Sequence, residues 1–224
     1  MKKVILFTIF LGTLFSLIIY RFFYHETVQI VTLGDGLATG ETYYDVTGYS
    51  FNDYLRDYLE ETTKIDEYIT EFANKKETSE TLKLKLANNY TLESTETKIQ
   101  QALSKASLIT IALGTYELSH SKVTQKEIDN YLTNMEKIIN LLRVYNQKKI
   151  ILLSLYPTND LTKEDVSKIN TYLQNLAQEK RMDFVDITSI TENKDYFFSS
   201  SHPNPNYKGH RYLKNLIVET CFET

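Results

Sequence analysis

Short apolar runs alternate with longer amphipathic stretches from residue 28 onward, and this alternation limits the fold more than any other feature. Val28–Leu33, Leu108–Leu113 and Ile150–Leu155 are predominantly apolar and close on turn formers: Gly34-Asp35-Gly36, Gly114 and Tyr156-Pro157. Runs of this length read as strands buried on both faces. Phe184–Ile187 is a shorter strand candidate, and Lys64–Ala73, with Ile65 and Ile69, is another. Helical periodicity fills the intervals at Ser50–Glu61, Ser79–Leu86, Thr95–Ala106, Thr124–Asn146, Thr162–Lys180 and Pro205–Thr220. The clearest stripe is Ile128, Met135, Ile138, Ile139 and Leu142. Strands alternating with helices predict a three-layer α/β/α domain with a flavodoxin-like parallel sheet. Right-handed crossovers bring the strand C-terminal ends to one edge, where such sheets bind ligands.

The chain has 224 residues, 42% of them hydrophobic, enough for one sizeable core. A net charge of -4 gives no basic field for nucleic acid. The single cysteine, Cys221, has no partner for an internal disulfide and reads as a small packing residue. No His, Cys and Asp cluster has metal-ligand spacing, and no cofactor is expected. There are 17 tyrosines and no tryptophan. Tyrosine-rich surfaces bind sugars or peptides, and tyrosines also serve simply as amphipathic residues at a core edge. Glu60–Glu96 is polar and reads as a solvated face, with no repeat or internal boundary.

The N-terminus predicts a membrane partner. Met1-Lys2-Lys3 precedes the uncharged run Val4–Tyr20, and Arg21-Phe22-Phe23-Tyr24 follows. This run is at the short end for a spanning helix, with aromatic residues placed for an interfacial belt. A cleaved signal peptide is the rival reading, but Tyr20–Thr27 lacks small residues spaced for cleavage. The reading is an anchor at 1–25 that holds a domain at 26–224 on the extracytoplasmic side of the cell membrane, following the positive-inside bias.

Two segments carry the chemistry: Gly34-Asp35-Gly36 after the first strand, and His202-Pro203-Asn204 before the last helix. Together they resemble the SGNH, or GDSL-type, hydrolases, whose first block is Gly-Asp-Ser and whose last is Asp-x-x-His-Pro-Asn. The resemblance spans about residues 28 to 220 and implies acyl transfer: serine attacks, histidine takes its proton, aspartate orients the histidine, and N–H donors hold the oxyanion.

The serine position falls on Gly36, which keeps only a backbone amide, while Asp35 is expected to fix the turn. The second block requires a glycine after the second strand. None occurs between Gly48 and Gly114, and Asn74–Ser79 occupies that region. The third block, Gly-x-Asn-Asp, falls on Gly114-Thr115-Tyr116-Glu117. Gly114 and the acidic Glu117 match, and Tyr116 replaces the oxyanion asparagine and is expected to fill the vacated pocket. In the last block His202 is the retained histidine and Asn204 matches. Ser199 stands at the aspartate position, and Asp195 is a substitute if the loop folds back. His210 reads as part of the last helix face. Thr39, Thr42, Ser50, Ser119 and Ser199–Ser201 are the alternative hydroxyls, none on a strand-to-helix turn.

Three functions fit these residues. One is a cell-surface module that binds a cell-envelope ligand or a protein and no longer hydrolyses esters. Another is an active esterase on envelope lipids, acylated glycans or peptidoglycan that uses a relocated nucleophile. The third is a structural tether whose pocket is filled by Tyr116 and Lys76.

Overall fold

The computed structural model of the protein describes residues 27–44, 46–119, 122–199 and 202–223. One parallel sheet contains β1 (Thr27–Gly34), β2 (Lys64–Ile69), β3 (Leu108–Ala112), β4 (Lys149–Leu153) and β5 (Asp183–Val185). Its order is β2-β1-β3-β4-β5. The helices are α1 (Gly36–Thr39), α2 (Phe51–Glu60), α3 (Ser79–Ala87), α4 (Ile99–Lys105), α5 (Gln125–Tyr145), α6 (Lys163–Glu179) and α7 (Tyr207–Cys221).

Side chains of a strand alternate between its faces, and here both faces are buried. Val31, Leu33, Ile109, Ile111, Ile150 and Leu152 join α3 to α6 in one apolar cluster. Ile30, Leu108, Ala112, Ile151 and Leu153 join α1, α2 and α7 in the other. The predicted α/β architecture with a parallel sheet is therefore present. Two buried polar side chains link its layers. Thr110 Oγ1 donates to Asn52 Oδ1 at 2.6 Å, and Asn52 Nδ2 donates to the Ala38 carbonyl at 3.0 Å, which ties α2 to α1 and β3.

Helix starts follow local chemistry. Ser50 and Asp53 form a capping box on α2, as Thr124 and Glu127 do on α5. Such caps contribute about 1 kcal/mol each. Two expectations shift. Glu96 takes a left-handed φ of 57°, and Thr91 bridges to Lys98, so the helix expected from Thr95 starts at Ile99. The strand expected over Lys64–Ala73 ends at Ile69. Cys221 is buried in the second cluster, and burial pushes its thiol up to about 11. Among the described residues no helix is long and apolar enough to cross a membrane. The anchor expected at 1–25 lies outside them.

β1 is flanked by β2 on one side and β3 on the other, and the strand order reverses between β1 and β3. That switch point opens a crevice at the strand C-terminal ends, where Gly34-Asp35 and Leu113-Gly114 meet.

Candidate active site

Asp35 organises the crevice. Gly34 before it has φ +138°, and any Cβ there would collide with the Ala112 carbonyl, so the close approach of β1 to β3 requires glycine. Asp35 N–H donates to that carbonyl at 3.0 Å. The Asp35 carboxyl is fully buried and accepts from Leu37 N–H at 3.1 Å and from Gly114 and Tyr116 N–H at 2.9 Å each. Burial pushes it up to about 7, against the downward pull of these donors. One side chain thus holds both strand-end turns. Gly114 has φ +112°, and its missing Cβ leaves room for the Tyr131 ring 2.8 Å from where that carbon would stand.

Gly36 follows, buried at the start of α1. The space its side chain would occupy is taken. A Cβ there would overlap Glu41 Oε2 and stand 2.6 Å from Asn204 Nδ2. These two groups bond each other, Asn204 Nδ2 donating to Glu41 Oε2 at 2.9 Å. Glu41 arrives because the chain after α1 turns back: Glu41 N–H donates to the Gly36 carbonyl at 2.9 Å, and Glu41 bridges to Thr47. Asn204 is buried, and its Oδ1 has no hydrogen-bond partner. Sequence reasoning nominated Asn204 but not Glu41. The available signal was volume: a glycine at a nucleophile position leaves a hole that some neighbour must fill.

His202 sits on a pinned loop. Tyr156 is buried and its hydroxyl donates to the Pro203 carbonyl at 2.5 Å. Asn204 N–H donates to His202 Nδ1 at 3.2 Å. The same Nδ1 lies 3.3 Å from the Asn204 carbonyl, so the Asn204 backbone holds this ring nitrogen in either tautomer. A triad histidine gives Nδ1–H to a carboxylate and keeps Nε2 free to take a proton, whereas here Nδ1 faces the Asn204 backbone. Asp195 does not supply that carboxylate. It is exposed in the middle of a short 3-10 turn, Lys194–Tyr196, where its carbonyl accepts from Asn206 Nδ2 at 2.8 Å.

The remaining expected positions separate. Tyr116 gives its N–H to Asp35, but its side chain is 42% exposed; it does not fill the vacated pocket, because Glu41 and Asn204 already do. Glu117 points to α3, accepting from Ser79 N–H at 2.7 Å and Ser79 Oγ at 2.9 Å. In the second-block region Lys76 is exposed, and Asn74 N–H is committed to the Gly34 carbonyl at 3.0 Å. His210 is buried on α7, facing α2, and takes the Phe51 N–H on Nδ1 at 3.2 Å.

The alternative hydroxyls are mostly occupied. Thr39 Oγ1 donates to the Gly36 carbonyl, Thr42 Oγ1 to the Val46 carbonyl, and Ser50 Oγ caps α2. Ser199 also has a partner. Ser200 and Ser201 lie outside the described residues. Ser119 differs: its Oγ is buried with no hydrogen-bond partner, and the residue borders a cavity of about 480 Å³ together with His202. Among the described residues no group of three or more acidic, His or Cys side chains could hold a metal ion. The arrangement can hold a ligand beside His202, but it offers no oxygen at Gly36 to attack a carbonyl.

Solved structures of similar fold include esterases and acylhydrolases. A lipase/acylhydrolase from Enterococcus faecalis is 15% identical with a TM-score of 0.64, covering 86% of this chain and 94% of its own. An acetylxylan esterase from Geobacillus stearothermophilus, solved as a catalytic mutant, is 14% identical with a TM-score of 0.65, covering 86% and 93%. A psychrotrophic esterase from Pseudoalteromonas is 17% identical with a TM-score of 0.62, covering 88% and 97%. At these identities the likeness is one of fold. A search of curated protein sequences gives no match. The profile of the GDSL-like lipase/acylhydrolases matches residues 30–217, most of the chain, and the protein belongs to that family.

Proposed function

We propose that this domain is a membrane-anchored, extracytoplasmic binding or scaffolding module that has the family's scaffold and lacks its ester hydrolase activity. The observation that carries the reading is the filling at Gly36: the Glu41 carboxylate and the Asn204 amide stand where a nucleophilic side chain would be. A carboxylate there also opposes negative charge developing on an adjacent oxyanion. The donors that would stabilise such charge are reduced as well. Tyr116 replaces the asparagine with its ring turned toward solvent, and Asn74 N–H is committed to Gly34. Loss of one oxyanion donor costs on the order of 10²–10³ in rate, and loss of the nucleophile costs more. Anchoring rests on the uncharged run Val4–Tyr20 behind Lys2 and Lys3.

One observation favours a second reading, an active esterase on envelope lipids or acylated glycans. Ser119, whose buried Oγ has no partner, shares a cavity wall with His202. A solved relative in fold is described as an acetyl-xylooligosaccharide esterase. A fluorophosphonate probe on the full chain in detergent separates the two. The expected outcome is no covalent adduct. Labelling of any serine or threonine that disappears in His202→Ala would overturn the binding-module reading, and labelling at Ser119 would establish the second.

A further inference from the structure

The pole of the sheet opposite the crevice has a charge pattern of its own. Parallel strands put every N-terminal end there, and the helices that return across the sheet end there too. α5 and α6 close side by side. The Arg143 guanidinium, near the end of α5, donates to the carbonyls of Asn146 and Lys148 and to those of Lys180 and Arg181 after α6. Lys148 and Lys149 lead into β4, and Lys180 and Arg181 lead toward β5. Glu179 pairs with Lys180 at 2.8 Å and Asp183 with Lys149 at 2.9 Å, which leaves the charges of Arg143, Lys148 and Arg181. Glu223 stands near, two residues past the Cys221 carbonyl that accepts from Lys149 Nζ at 2.8 Å, and takes one charge back. Lys148 and Arg181 are exposed, and Val144, beside Arg143, is 74% exposed. Cations at helix C-termini answer the helix dipole, but the dipole gives no reason for an exposed valine among them. The other half of the pole, toward β2, is mixed, with Glu60, Glu61, Glu96, Lys64 and Lys105.

We propose that this patch docks the domain on the anionic phospholipid headgroups of a bilayer, an inference that rests on the anchored half of the reading above. β1 begins at Thr27 in the same pole, directly after the segment expected to anchor, which keeps the patch close to the membrane surface. A negative surface attracts Lys and Arg within a Debye length, and an apolar side chain among them enters the interface. The basic and mixed halves lie on opposite sides of β1, so the attraction leans the domain toward its β4–β5 side. β1 then carries the chain away from the bilayer over eight residues, up to roughly 26 Å at about 3.3 Å per residue. The crevice therefore opens away from the membrane, toward ligands that do not reside in that bilayer.

The chain has no tryptophan, so the emission of a Val144→Trp variant reports on this patch alone. The full chain carrying it is reconstituted in phosphatidylglycerol or phosphatidylcholine vesicles that contain lipid brominated in the upper acyl chain. Quenching about threefold stronger in phosphatidylglycerol is expected, falling to the phosphatidylcholine level when Lys148→Gln and Arg181→Gln are added. Tyr44→Trp, 78% exposed at the crevice end, should escape quenching in both lipids. Equal quenching of Val144→Trp in the two lipids, quenching unchanged by the two added substitutions, or equal quenching from Tyr44→Trp overturns the proposal. The anchor is tested apart from the patch, by flotation with phosphatidylcholine vesicles in about 1 M salt, where the patch is screened. Loss of flotation there removes the anchored reading and this proposal with it. Flotation with equal quenching in the two lipids removes the proposal alone.

Discussion

The crevice at Gly36 and the cavity at His202 share one edge of the sheet and are built in opposite ways. In the crevice, Asp35 is fully buried and bonded to three backbone amides, and Glu41 and Asn204 close the hole beside Gly36. The cavity is open and lined by aromatic rings, and beside it Ser119 keeps a buried hydroxyl with no partner. The contrast teaches that one sheet edge can carry a packed frame and an open cavity side by side. The frame depends on Asp35, and the next residue, Gly36, brings no side-chain oxygen to it.

The largest effect should come from breaking that frame. Asp35→Ala would strand the buried N–H groups of Leu37, Gly114 and Tyr116, each costing about 1–3 kcal/mol. Urea unfolding should show a loss of about 4 kcal/mol with an unchanged m-value. A loss below about 1 kcal/mol would mean that the turns hold themselves.

A pH series sharpens the comparison. Burial pushes Asp35 up to about 7 from 3.8, so its contribution is full below 3.8 and is lost as pH rises through 7. Burial pulls His210 down to about 4 from 6.5, so its contribution is full above 6.5 and is lost as pH falls through 4. Between pH 4 and 6.5 the two slopes, each about 1.4 kcal/mol per pH unit, oppose each other. Asp35→Asn should therefore leave a protein whose stability rises with pH across this window by about 3 kcal/mol, and His210→Gln one whose stability falls by a similar amount. Flat profiles in both variants would contradict the assignment.

Refilling the crevice should cost less. Gly36→Ser must displace the Glu41 carboxylate, with an expected loss of about 1–3 kcal/mol and no gain of ester turnover. Adding Glu41→Ala should recover about 1 kcal/mol or more, measured as a double-mutant cycle. Strict additivity would show that the two side chains do not compete for one space. The smallest effect belongs to the cavity: Ser119→Ala should leave the unliganded protein unchanged or stabilised by up to about 1 kcal/mol, because it removes a buried group that bonds nothing.

The central strands were legible because β1, β3 and β4 are buried on both faces and written as apolar runs. Edge strands β2 and β5 were less so, since half-exposed segments such as Lys64–Ile69 carry charge. The helix α1 escaped notice because a four-residue turn among glycines has no period to read. At the site, local motifs placed Asp35, Gly114 and His202 in chain order. Glu41 was invisible, because its role comes from a contact with Asn204 across 163 residues and from a missing side chain at Gly36. The placement of the His202 ring also depends on the Asn204 backbone two residues away, which no side-chain pattern encodes.

Pre-steady-state release of nitrophenol from a nitrophenyl butyrate ester tests the central claim most directly. The account predicts no burst and a steady rate equal to that of the His202→Ala variant. A burst stoichiometric with protein and absent from that variant would reveal an acylated side chain, and the claim that this scaffold has lost its nucleophile would be wrong.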